Sequence, residues 1–417
     1  MLEEKNDDGQ ILKDIFLKSL DLADPAKKLE NIKIDHPSGR LFFAAVGKGA
    51  GRLARAFEKS YAGKADGIVV IPENENCDKI GFKVMKATHP IPSQAGLDAS
   101  VKLLNEISKL GKDDLLVFCI SGGASALLPL PPKGFSLEDE IHLNKVLLSS
   151  GLSIKEMNLY RGLFSQIKGG KLALAAYPCP IISLVVTDIP GGDLSLVGSG
   201  PTFIPEVKNN ISSNLDFGSK INKFFLAKKS LDSVETKNTI VQKSVCLGSS
   251  AILLDCMEDH IKKKYDLNTL VLSSEFEGDA SSLAKFHASI LKEIKIFDRP
   301  IKKPAIIISS GESFVKLPRI HGRGGRNSHF ALALAKEIEG IPGITALAAD
   351  SDGIDGFEQN AGAIISGQTF KILKRREPLK DFLKEFNSFS AHEIASSLFY
   401  SGATGINLND IRIAIVR

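Results

Sequence analysis

The run Leu115-Leu116-Val117-Phe118-Cys119-Ile120 constrains the fold more than any other stretch of the chain. An apolar run without polar alternation suits a strand covered on both faces, and this one stops at Ser121-Gly122-Gly123-Ala124-Ser125-Ala126. The residues after the glycines are helix-compatible, so the loop would turn free backbone N–H groups toward a phosphate or carboxylate. The same grammar recurs. Leu41–Val46 breaks at Gly47-Lys48-Gly49-Ala50-Gly51, Ile181–Val186 at Thr187-Asp188, Ala305–Ile308 at Ser309-Ser310-Gly311, and Ile344–Ala349 at Asp350. Buried strands alternating with helical segments predict an open α/β sheet, whose ligands sit in the crevice beyond the strands' carboxyl ends.

Size and charge narrow the class. A chain of 417 residues, 43% hydrophobic and 24% charged, exceeds the span of a single core and predicts two domains. The formal net charge of +4 is spread through mixed segments, which predicts no nucleic-acid partner. Met1–Asp8 is acidic and polar where a secretory signal needs a basic start, and no apolar run is long enough to span a bilayer. A cytoplasmic protein without a membrane partner is expected. The cysteines, Cys77, Cys119, Cys179, Cys246 and Cys256, show no C-x-x-C spacing and read as packing residues.

Several loop residues are candidates for chemistry. Lys48, flanked by glycines at a strand end, would point a compact charge into the crevice. A dinucleotide fingerprint fails there, because the sixth position from Gly47 is Arg52, and no Gly-Lys pair is followed by Ser or Thr as a Walker loop requires. His89, in His89-Pro90-Ile91-Pro92, either contacts substrate or is structural. Arg161 precedes the turn Lys168-Gly169-Gly170-Lys171, which reads as an exposed corner. Asp188 and Asp193 on a glycine-rich loop suit a magnesium ion or a general base. Val207–Ser219 reads as an exposed connection. In His321-Gly322-Arg323-Gly324-Gly325-Arg326-Asn327, glycines and arginines precede a helix, which is phosphate or carboxylate chemistry. The loop from Asp350 imitates a calcium loop, but Ala361 stands where the bidentate Glu belongs.

These segments together resemble the class II glycerate kinases, the MOFRL family. The resemblance is carried in order by Gly47–Ala50, Ala87–Pro92, Ser121–Leu127, Ile167–Ala173, Asp188–Thr202, Gly322–Asn327, Phe330–Ala335, Asp352–Gly356 and Thr404–Asp410. It implies a larger N-terminal Rossmann-like three-layer domain with a mostly parallel sheet (1–235). A smaller C-terminal MOFRL-type α/β domain (236–417) follows, with the active site in the cleft between them. It also implies ATP-dependent phosphorylation of D-glycerate to 2-phosphoglycerate, with Mg2+ or another divalent cation. Lys48 and Arg326 match the family's essential basic residues, and Asp188 is the third catalytic candidate. Ser121, Gly122, Gly123, Ala124, Ser125, Gly324, Gly325 and Asn327 would bind phosphate or nucleotide, His89 and Arg161 the substrate, and Asp188 with Asp193 the metal. The chain departs from the pattern at Gly162, Leu163 and Gly192, which touches substrate identity. A related hydroxy-acid kinase, a hydroxypyruvate reductase and a non-catalytic binder are the alternatives, and a homodimer is left open.

Overall fold

Unbroken apolar runs become fully covered strands. In the computed structural model, which describes residues 8–77, 79–204, 215–230 and 242–417, the chain divides into two units. The first comprises residues 25–189 and 193–247. It is built on β1 (Leu41–Val46), β2 (Ala65–Pro72), β3 (Lys83–Ala87), β4 (Leu115–Ile120), β5 (Ile181–Val186) and β6 (Gln242–Gly248). The sheet order is β3-β2-β1-β4-β5-β6, and β1 pairs in parallel with both β2 and β4. Every residue of β1 is buried. Phe42, Val46, Phe118 and Ile120 pack with Leu103 and Leu172 in one core, while Phe43 stacks on Phe57 and Phe82 with centroids 4.3 and 4.9 Å away.

Strand order reverses between β1 and β4, where Val46 pairs with Ile120. The loops that follow these two strands are therefore neighbours at the switch point, the place where an open α/β sheet receives ligands. The expected open α/β sheet is present.

The second unit comprises residues 8–24, 190–192 and 248–417. Its strands are β7 (Asn268–Asp279), β8 (Ala305–Phe314), β9 (Ile344–Asp350), β10 (Gly362–Ser366), β11 (Leu398–Phe399) and β12 (Asp410–Val416), in the order β11-β10-β9-β12-β8-β7. β12 runs antiparallel between β8 and β9. Its first residue, Asp410, therefore sits opposite Gly311 and Asp350, at the edge where β8 and β9 end.

Three features depart from the sequence reading. The helix Asp8–Leu22 belongs to the C-terminal unit: Phe16 meets Phe399 edge-on at 5.2 Å, and Asp14 accepts hydrogen bonds from His260, Lys264 and Tyr265. The long segments change over at Leu247/Gly248, whereas the expected boundary at 235/236 lies outside the described residues, as does most of the connection expected at 207–219. The corner at Lys168 is not exposed. Lys168 is 1% exposed and its Nζ meets Glu140 Oε1 at 2.6 Å, while Lys171 Nζ donates to the carbonyls of Gly162, Leu163 and Ser165 at the end of the helix Ile154–Leu163. These lysines take up charge and orphan carbonyls inside the unit.

Candidate active site

The β1 and β4 loops lock together through the backbone. Lys48 N–H donates to Gly122 O at 2.9 Å, and the Ser121 hydroxyl donates to Lys48 O at 2.8 Å. Ser121 thus serves loop geometry with its hydroxyl, while the N–H groups of Gly122 and Gly123 make no hydrogen bond among the described residues. Gly123, at φ +85, begins the short helical turn Ala124–Leu127. A Cβ at Gly122 would run into the Asp188 carboxylate, and one at Gly123 would lie 3.0 Å from His89 Cδ2 and 3.6 Å from Lys48 Cγ. Lys48, His89 and Asp188, drawn from three strand ends, therefore converge on one glycine pair.

The electrostatics of this group are specific. Desolvation raises the Asp188 pKa against the pull of Lys48, and desolvation followed by the Lys48 charge lowers that of His89. A carboxylate displaced upward and an imidazole held neutral suit proton transfer from a hydroxyl.

Other expected residues have structural occupations. Asp193 caps its own turn, accepting from Ser195 N–H at 3.0 Å and the Ser195 hydroxyl at 2.6 Å. Arg161 donates from Nε to Asn144 Oδ1 at 2.9 Å and from Nη1 to Asn158 Oδ1 at 3.2 Å. Asn158 Oδ1 also receives the Ser199 hydroxyl, which bonds Ser125 at 2.9 Å, so Arg161 reaches the glycine loop through a relay. Sequence reasoning missed Glu75, whose carboxylate accepts the Gly49 N–H at 3.0 Å. That carboxylate occupies the N-terminus of the helix Ala50–Ser60, the position a dinucleotide pyrophosphate would take.

In the second unit the guanidinium of Arg326 is surrounded by carboxylates. Nε meets Asp410 at 2.7 Å, Nη1 meets Glu312 at 3.0 Å and Nη2 meets Asp350 at 3.0 Å. Burial opposes its charge, but Asp410 and Asp350 outweigh that and raise the Arg326 pKa. Asp350 is pushed well above the ordinary range by burial and by Asp410 and Asp352, against the pull of Arg326.

The helix Arg326–Glu337 does not present free N–H groups at Asn327 and Ser328. Asp355 accepts both, at 2.9 and 2.7 Å, and the Asn327 side chain donates to Asp410. Gly324 and Gly325 leave no room for a side chain because Ser388 and Asp355 press on them. Asp355 thus holds the helix start, and the Asn327 and Ser328 N–H groups are already occupied where the sequence reading expected the helix start to face phosphate. Asp355→Ala is accordingly expected to lower stability by about 1–2 kcal/mol, the cost of an N-cap, as read by urea denaturation.

Residues 11–222 match a domain of unknown function (DUF4147), and residues 305–410 match the MOFRL family. The D-glycerate 2-kinase of Thermotoga maritima is 32% identical over 416 residues, with 97% of each chain covered. This chain belongs to the MOFRL family of glycerate 2-kinases. A second relative, from Agrobacterium vitis, is 32% identical over 98% of this chain and 94% of its own, and is named a putative hydroxypyruvate reductase. The crystal structure of a T. maritima glycerate kinase superposes with a TM-score of 0.85 at 31% identity, covering 98% of this chain and all of that one. The sequence resemblance and the α/β architecture drawn from it are both borne out.

Proposed function

We propose that this chain transfers the γ-phosphoryl group of ATP to the 2-hydroxyl of D-glycerate. The observation that carries the proposal is the convergence of Lys48, His89 and Asp188 on the Gly122–Gly123 pair at the switch point. Phosphoryl transfer asks for positioning and charge neutralisation, which a lysine and free backbone N–H groups supply. Lys48 offsets charge on the transferring group, and the Gly122 and Gly123 N–H groups receive phosphate oxygens. Asp188, with its raised pKa, takes the proton of the substrate hydroxyl. Arg326 is a cation for anionic reactant groups. Arg161 acts on the loop through Asn158 and Ser199 rather than on substrate directly.

Magnesium enters this reading with the nucleotide. Among the described residues no group of three or more His, Cys, Asp or Glu side chains could hold a metal by itself, and Asp193 is engaged with Ser195. That fits a cation bound largely by phosphate oxygens and water with one or two protein carboxylates.

A coupled ADP-release assay with ATP, Mg2+ and D-glycerate tests the proposal, with the product position read by NMR. Phosphate on C2 is expected. No ADP release with any small hydroxy acid, together with NADH oxidation by hydroxypyruvate, would overturn it in favour of the reductase. Glu75 on the Gly49 N–H and the missing third glycine at Arg52 argue against that outcome.

A further inference from the structure

We infer that Asp410 is a positioning residue that sets the direction of the Arg326 guanidinium, and that Ser313 and Arg412 hold Asp410 for that task. The inference rests on the proposed role of Arg326. Asp410 is fully buried at the first position of β12 and divides its bonds between its two oxygens. Oδ1 accepts from Arg326 Nε at 2.7 Å and from Asn327 Nδ2 at 2.7 Å. Oδ2 accepts from Ser313 N–H at 2.9 Å, from the Ser313 hydroxyl at 2.9 Å and from Arg412 Nη2 at 3.2 Å. Both edges of the carboxylate are therefore tied, so its plane is set independently of Arg326.

Arg412 is the telling member of the group. It is 2% exposed, with its guanidinium 5.0 Å from the centre of the Phe330 ring, and neither Nε nor Nη1 has a hydrogen-bond partner among the described residues. Leaving buried donors unmade costs stability, so an apolar residue would serve the core better. What Arg412 supplies is a positive charge on the inner side of Asp410. That contact holds the carboxylate in place from its inner side while Arg326 exchanges partners. Of Arg326's three contacts, Nε on Asp410 is the inner one, whereas Glu312 on Nη1 is 55% exposed. An arriving anionic oxygen can displace Glu312 while Asp410 keeps the guanidinium plane in place.

A double-mutant cycle tests the coupling. Asp410→Asn is expected to lower kcat/KM for ATP about 30-fold in the wild-type background, and by less than about threefold in an Arg326→Ala background, because the residue it acts through is gone. The loss should fall on kcat more than on KM for D-glycerate. Equal losses in the two backgrounds, or unchanged turnover in Asp410→Asn, would overturn the inference. Should Asp410→Asn fail to fold, Ser313→Ala removes one donor from Asp410 Oδ2, and the same non-additivity is expected with a smaller loss. If the wild-type chain does not phosphorylate D-glycerate, the functional reading fails, and the cycle is run on MgATP affinity by calorimetry. Coupling there sustains the positioning role, and additivity or the absence of MgATP binding overturns it.

Discussion

Lys48→Ala is expected to lower kcat by about 10²–10³-fold, the usual loss when one preorganised electrostatic donor is removed from a transition state. The melting temperature is expected to stay within about 1 °C of wild type. The reasoning separates the residue's backbone from its side chain. The backbone N–H and C=O bind Gly122 and Ser121, and an alanine keeps both bonds. The side chain is exposed, so its removal opens no cavity. Steady-state kinetics with ATP and D-glycerate, alongside a thermal melt, check both halves. Turnover within a few-fold of wild type would remove Lys48 from the mechanism. Lys48→Arg is expected to recover little, since a planar fork does not reproduce a point charge between two glycines.

How much of this was legible beforehand depends on where each residue's meaning resides. β1, β4 and β5 could be read because strands covered on both faces must be apolar throughout, and the loops after them carry Lys48, Ser121 and Asp188. β12 was missed: its stretch begins Asp410-Ile411-Arg412, and a buried acid and a buried arginine break the apolar signal. The pairing that makes them tolerable is visible only in three dimensions. Asp355 and Glu75 were missed for a related reason. A carboxylate capping a helix from 26 or 28 residues away in sequence leaves no local signature. Gly324 and Gly325 show the opposite limit of a local signal. A glycine-rich approach to a helix suggests a ligand, but here the close approach is made by Asp355 and Ser388. The N-terminal helix displays its apolar face plainly, but nothing in that face says that its partner is Phe399, near the other end of the chain.

Breaking the buried pair Lys168–Glu140 should have a large effect on stability. Both side chains are almost fully enclosed, at 1% and 3% exposure, and Glu140 Oε2 already lacks a partner among the described residues. Lys168→Ala would leave Glu140 as an unpaired buried carboxylate and is expected to cost about 3–5 kcal/mol. The pair itself contributes much less than that, since its attraction is largely offset by the desolvation of both ions. Replacing both members, Lys168→Met with Glu140→Leu, should therefore recover most of the loss. Urea denaturation of the two single variants and the double variant measures this. The site gives the result a functional side: the residues after Lys168 hold the loop that carries Ser199, through Gly169 N–H to Ser199 O at 2.9 Å and Gly170 N–H to Gly200 O at 2.7 Å. Ser199 in turn bonds Ser125, just beyond the glycine pair. The double variant should thus regain stability while keeping turnover within a few-fold of wild type, whereas Lys168→Ala should lose both together. A double variant as unstable as Lys168→Ala would mean that the ion pair holds the corner by its own geometry, beyond neutralising a buried charge.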